Sequence, residues 1–522
     1  RKRCRITFSC TNCRRSKQRC DRENPCRTCV IRGKQDTCQY EEGIFDARDN
    51  RVSPVLLPSQ EKRQRDSPHS SSHHKDLSSF GYSNLYDHNA LGILKKLQRF
   101  DVGTNVSSLG SEESGVFLPE RYRDEYKAVL QRLPCQQCTQ ALVAIFFKEF
   151  NWNYSLLDDA FFDDELRRFY DRTVGSALQR LDVGNLVFPT LLFQVIALAL
   201  QFMPSEHERC LDEHGCIDAS RSDGGKFFSG LGARLWTLFE KNATCFLSVQ
   251  ASFLRVCWLK NSGRVVESWH GLAQVAMDAQ DIGLHREDGR IEATDAETAV
   301  ARSWEVVLRR RLIVNLFLWE TQMAMILGKS INLSLGDFHI IPPVDTAIPK
   351  NRTTSLPFAR RDLEKPNSFT ARLLEYRLQV HLPRIIALEA DGPFPKDYTK
   401  VEKLHQEALD YIDSLPPIYR FENPDTSFDA ECQWLPAQRE FLCTVTWLFV
   451  LLLHRPYIFS IARSRTEIVK ASIEMLSAQQ RILYRLRPNQ YRFFILSFIS
   501  VEASISLLAV FIAYPSENKA LL

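Results

Sequence analysis

From about residue 86 onward, apolar positions recur at three- and four-residue steps, the spacing of helices that bury one face. In 266–284, Trp269, Leu272, Ala273, Ala276 and Ala279 keep that spacing. Gly283 then supplies the left-handed residue that closes a helix, and Leu284 is placed to fold back on the last turn. The stretch 304–327 repeats the plan, with Arg309, Arg310 and Arg311 on it and Gly328 at its end. Beyond Gly328, Pro342 and Pro343 interrupt the helical pattern. The stretches 441–454 and 493–514 are strongly apolar and predict helices buried on most sides. No run alternates with the period of two that a half-buried strand needs. The pattern predicts an all-α body.

Two apolar runs, 187–204 and 493–514, invite comparison with membrane spans, and the second is long enough to cross a bilayer. Glu502 and four serines lie inside the second, and a charge at mid-span is costly. Buried helices of a large helical domain explain both runs, so no membrane partner is expected.

Residues 41–85 lack the helical pattern. They hold Pro54, Pro58 and Pro68 and the polar run from Ser67 to His74. Such a stretch has too little apolar surface to offset its ordering entropy. As a flexible coil it would span roughly 35–40 Å root-mean-square. The chain, at 522 residues, also exceeds what one core supports. The predicted organisation is a cysteine-rich head at 1–40, a linker at 41–85 and a multi-helix domain at 86–522.

Charge sharpens the division. Residues 1–40 carry 12 Lys and Arg against 3 Asp and Glu, while the rest carries 55 against 60. A basic head on a mildly acidic body predicts a polyanionic partner for the head.

Seven of the fifteen cysteines lie in the first 38 residues. No apolar secretory stretch follows Arg1, so reduced, metal-bound thiolates are a better reading than disulfides. The spacing is an internal repeat: Cys10-x2-Cys13-x6-Cys20, then Cys26-x2-Cys29-x8-Cys38. Tetrahedral zinc needs four ligands and each half offers three. Six thiolates complete two sites only if two sulfurs are shared. The alternative is a single zinc on the two CxxC pairs, leaving Cys20 and Cys38 free. Either way the metal supplies folding energy that so small a head cannot draw from a core. Cys4 lies outside the repeat and reads as an unliganded thiol.

The run Cys10-Thr11-Asn12-Cys13-Arg14-Arg15-Ser16-Lys17-Gln18-Arg19-Cys20-Asp21, with Pro25-Cys26-Arg27-Thr28-Cys29 and Cys38, resembles the fungal zinc-cluster transcription factors. That resemblance implies two Zn2+ ions bridged by Cys10 and Cys26. Cys13 and Cys20 would complete one site, and Cys29 and Cys38 the other. It also implies a nuclear regulator whose head binds double-stranded DNA over a CGG-like triplet. Arg14, Arg15, Lys17 and Arg19 are expected on a short helix between Cys13 and Cys20. Lys17 falls at the family's base-reading position, and Arg14, Arg19 and Arg27 are assigned to phosphate. Ser16 stands where the family is often basic, which puts the second base contact in doubt. Residues 41–85 hold no leucine heptads, so the head is expected to read one triplet as a monomer, the alternative being dimerisation through the helical body.

Three segments of the body resemble the family's regulatory domain over most of 130–460. They are Trp269 to Arg286, Arg309 to Ser330, and Leu453-His454-Arg455-Pro456-Tyr457. The resemblance implies a regulatory domain meeting the transcription machinery or co-regulators, and open to a small-molecule effector. No phosphate-cradling glycine loop, nucleophile elbow or His-Glu-x-x-His is present, so no enzyme activity is expected. Cys135 with Cys138, and His207 with Cys210, His214 and Cys216, are weak second metal candidates; His285 and His454 read as structural. The competing function is a zinc-binding interaction module whose basic head docks RNA or an acidic protein.

Overall fold

The computed structural model describes residues 11–16, 20, 25–38, 118, 120–173, 183–207, 224–239, 243–286, 295–331, 340–361 and 363–518. The predicted linker, 41–85, lies outside them. The chain divides into two compact units, 1–74 and 75–522. Among the described residues every regular element is helical and there is no strand.

The first unit contains α1 (Thr11–Arg15) and α2 (Arg27–Ile31), followed by a 3-10 turn, Gln35–Thr37, that delivers Cys38.

The second unit begins with α3 (Arg123–Leu130), α4 (Gln136–Ile145) and a π-helical turn, Phe146–Asn151. It continues with α5 (Asp159–Thr173), α6 (Val183–Gln201), α7 (Gly224–Thr237), α8 (Phe246–Asn261), α9 (Val265–Asp281) and α10 (Ala296–Leu327). The last part holds α11 (Thr370–Gln379), α12 (Leu382–Glu389), α13 (Thr399–Asp413), α14 (Leu435–His454), α15 (Ala462–Arg485) and α16 (Phe494–Ala513). Among the described residues two large apolar cores form, beside a small cluster of Ile458, Ile468, Val469 and Val510. One gathers α4 and α6 to α9 with the middle of α10. The other gathers α11 to α14 with one face of α15. Helix α10 runs from the first core, through Phe317 and Met323, into the second at Met325.

Phe493, just ahead of α16, ties distant segments together. Its ring lies 4.7 Å from Phe202, 5.9 Å from Trp152, 6.0 Å from Tyr154 and 6.1 Å from both Phe150 and Phe441. Beside it, the π-helical turn buries Glu149, which accepts hydrogen bonds from Asn489 and Gln490 and pairs with Arg487. An opened helical turn of this kind aims one extra side chain inward.

The glycine caps agree with the sequence reading. Gly283 has φ 69°, the Leu284 N–H donates to Ala279 O at 2.9 Å, and Leu284 is buried. Gly328 has φ 62°, and the Lys329 N–H donates to Ala324 O at 2.8 Å. Both positions need the left-handed backbone that glycine adopts without strain. Helix α10 differs from the reading in its start, at Ala296 rather than Trp304. Its first two turns are mostly polar or alanine, so the apolar period is silent there. The start is set by Asp295, whose Oδ1 accepts the Thr298 N–H at 2.8 Å.

Among the described residues three helices, at 184–201, 435–457 and 494–513, are long and apolar enough to cross a membrane. The first two are 89% and 94% buried inside the protein, and the third only 28%. Burial of α16 on most sides was therefore a wrong expectation. Its Leu496, Ile499, Ala503 and Val510 pack inward, chiefly against α15, while Val501, Ile505, Leu508 and Ile512 face outward. A helix held from one side buries one stripe, whatever its composition.

His454 ends α14 fully buried. Its Nε2 lies 3.0 Å from His405 Nδ1, and its Nδ1 lies 3.0 Å from the Ser464 hydroxyl. Burial, and then the neighbouring His405 and Arg463, lower its pKa to about 3, so both rings of this edge-to-face pair stay neutral near pH 7.

Candidate zinc and DNA-binding site

Among its described residues the head has no apolar core in the usual sense. The buried side chains that cluster in it are Cys13, Cys26, Cys29 and Cys38, with Cys20 half-buried against them. Sulfur, the softest donor in the repertoire, is what this chain places in the middle.

Local structure brings the sulfurs together. Cys26 stands at the N-cap of α2 in extended backbone, and its carbonyl accepts the Cys29 N–H at 2.9 Å and the Val30 N–H at 3.0 Å. The CxxC spacing thus becomes one helical turn with both sulfurs on one side. Gly33, at φ 62°, reverses the chain, and the Lys34 N–H donates to Cys29 O at 2.9 Å. The 3-10 turn then carries Cys38 back, where its Sγ accepts the Cys26 N–H at 3.2 Å. Asn12 locks the two halves: its Nδ2 donates to the Thr37 carbonyl at 2.8 Å and to the Thr37 hydroxyl at 3.0 Å. Asn12 and Gly33 were not among the predicted site residues, and their roles are structural.

The Sγ atoms of Cys13, Cys26 and Cys29 all lie within 4.8 Å of one another. The Cys13 and Cys26 sulfurs are 3.5 Å apart. A disulfide would need about 2.05 Å. Two thiolates on one tetrahedral zinc, each at about 2.3 Å, sit roughly 3.8 Å apart. The buried sulfurs therefore fit zinc and do not fit a cystine. Cys38 is buried in the same group and Cys20 packs on it, so neither stands apart as the single-zinc alternative requires. Among the described residues, no other group of three His, Cys, Asp or Glu side chains is close enough to hold a metal.

The basic residues divide. Helix α1 starts at Thr11, ahead of Cys13 rather than after it, which puts Cys13 on its inner side. Arg15, Ser16 and Arg27 are exposed around the sulfur cluster. Arg14 lies on α1. Cys10, Lys17 and Arg19 fall outside the described residues.

A buried sulfur group behind a basic helix defines a zinc-held nucleic-acid-binding head, and the comparisons place it. Residues 8–44 match the fungal Zn(2)-Cys(6) binuclear cluster domain, and residues 143–378 match the fungal specific transcription factor domain. The chain belongs to the fungal zinc-cluster transcription factors; it is a DNA-binding transcription factor whose head takes two zinc ions. It is 24% identical to the transcription factor xilB of Penicillium rubens over 549 aligned positions, covering 96% of this chain and 77% of that protein. It is 23% identical to the probable transcription factor sol4 of Alternaria solani, covering 62% of this chain and 54% of that one, about half its length. Over 40 residues it is 58% identical to the oleate activated transcription factor 3 of Zygosaccharomyces rouxii. The match to the regulatory domain ends at 378, so the Leu453 to Tyr457 segment, assigned to it from sequence, lies beyond it.

Proposed function

We propose that the chain works in the nucleus and regulates a metabolic gene set, with secondary metabolism a candidate, by reading a CGG-like triplet in the major groove. The observation that carries this reading is a short basic helix pinned by a buried cysteine to the sulfur cluster, with Arg15 presented to solvent. Lys17, two residues past α1, donates to guanine O6 and N7. Arg14, Arg19 and Arg27 grip phosphates and set the register, Arg15 adds a further DNA contact, and Ser16 leaves the second base contact weak. Cys10 and Cys26 bridge the zincs; Cys13 and Cys20 complete one site, Cys29 and Cys38 the other. The closeness of Cys26 to cysteines of both halves, with its sulfur 3.5 Å from that of Cys13 and within 4.8 Å of that of Cys29, supports that assignment. In this reading 1–40 is the DNA-binding part, 41–85 a linker, and 86–522 the part that meets co-regulators and a small-molecule effector.

The test is binding of the full chain to a CGG duplex, a scrambled duplex and single-stranded RNA at one salt concentration. The CGG duplex is expected to win. Lys17→Ala should abolish that preference while zinc stays at two per chain. Undiminished preference in the variant, or equal binding to the RNA, overturns the assignment.

A further inference from the structure

Where the two cores of the body meet, a slot of about 40 Å³ is lined by residues of five helices and of the segment ahead of α5. Lys260 comes from α8, Trp319 and Gln322 from α10, Arg372 and Glu375 from α11, Gln438 from α14 and Phe494 from α16; Asn153 and Tyr154 complete it. The space corresponds to about three waters, or to one planar group of three or four heavy atoms.

A hydrogen-bond inventory shows what is missing. Each nitrogen of Arg372 has an acceptor: Nε and Nη2 donate to the Asn153 carbonyl at 3.1 and 2.9 Å, and Nη1 to Glu375 Oε2 at 2.6 Å. The other oxygen of Glu375 accepts from Gln379 at 2.9 Å and from Gln322. Gln438 Nε2 donates to the carbonyls of Trp152 and Ser368 at 2.7 and 2.9 Å. Two donor groups at the slot have no hydrogen-bond acceptor. The Lys260 ammonium forms no ion pair or hydrogen bond among the described residues; it rests 4.1 Å from the centre of the Trp319 ring and 5.2 Å from that of Phe494. The buried Asn153 Nδ2, beside Tyr154, has no well-formed partner. Lys260 and Arg372 against Glu375 leave one positive charge uncompensated. Ring faces attract an ammonium but accept no conventional hydrogen bond from it.

We propose that this slot binds a small oxyanion, the carboxylate of a metabolite, between the Lys260 ammonium and the Asn153 amide. The carboxylate supplies both missing acceptors and cancels the charge. Because the slot joins α8 and α10 to α11, α14 and α16, an occupant ties the two cores together and favours the arrangement in which they are packed. This deepens the reading of the body as effector-responsive and is independent of the reading of the head. Burial, above all, lowers the Lys260 pKa to about 8, while Tyr154 and Cys257 beside it stay neutral because burial raises theirs. An anion binds the protonated amine, so affinity falls as pH rises past 8.

The experiment titrates the full chain with sodium formate and sodium acetate against sodium chloride at equal ionic strength, without DNA. The readouts are the thermal midpoint and tryptophan fluorescence. A saturable rise with formate or acetate, absent with chloride, weaker at pH 9 than at pH 7 and lost in Lys260→Met, is the expected result. The same response in Lys260→Met, or carboxylates indistinguishable from chloride, overturns the proposal. Should Lys260→Met fail to fold, the wild-type chain is labelled with an amine-reactive ester. Acetate is then expected to protect Lys260 selectively, and unprotected labelling counts against the site. Because no DNA is present, failure here leaves the DNA-binding reading untouched.

Discussion

The head buries sulfur and the body buries rings. In the head, Cys13, Cys26, Cys29 and Cys38 fill the interior that Phe150, Phe202, Phe317 and Phe493 fill in the body. Helices α1 and α2 are five residues each, too short to persist alone, whereas α10 runs for 32. The head's shape therefore depends on a few metal bonds, all needed at once. The body's shape depends on many weak contacts, of which each single one is a fraction. The two regions should answer to different perturbations.

Removing zinc with a chelator is the largest test. Structural zinc contributes about 10–16 kcal/mol to domains of this size. Hydrogen exchange on the full chain should show protection lost across 11–38, with DNA binding abolished, while α6 and α14 keep theirs. A head still protected without zinc would break the comparison. Next comes Phe493→Ala, which removes the ring that joins Phe150, Phe202 and Phe441. Denaturant unfolding of the body should lose about 3–5 kcal/mol, with zinc content unchanged.

A third test uses acid. His454 is depressed to about 3 in the folded body, mainly by burial, against an ordinary value of 6.5. The unfolded chain takes up a proton below pH 6.5 while the folded one does not. The stability that His454 contributes is thus complete above pH 6.5 and is lost as pH falls toward 3, at about 1.4 kcal/mol per pH unit. Thermal melts between pH 7 and 5 should show this slope, reduced in His454→Gln. The smallest effect is expected at Asp295→Ala, where loss of the α10 cap costs about 1 kcal/mol in the same melts.

What could be read in advance depended on range. The helical period, Gly283 and Gly328, and the ligand count of the six cysteines are local, and each is visible within a few turns of chain. The start of α10 was also local, but it is written in a cap, and a reading of apolar spacing passed over it. The exposure of α16 was not legible, because composition states that a helix is apolar and not how many neighbours it has. His405 and His454 are 49 residues apart, and each looks ordinary alone.

The sequence by itself determined that the head is a zinc cluster and the body is helical. Ligand spacing and helical period act over a handful of residues, and backbone geometry converts them directly into structure. Only the tertiary structure decided which polar groups the body leaves unsatisfied. Lys260 is one lysine among many until α8, α10, α11, α14 and α16 pack together and set its ammonium over the Trp319 and Phe494 rings.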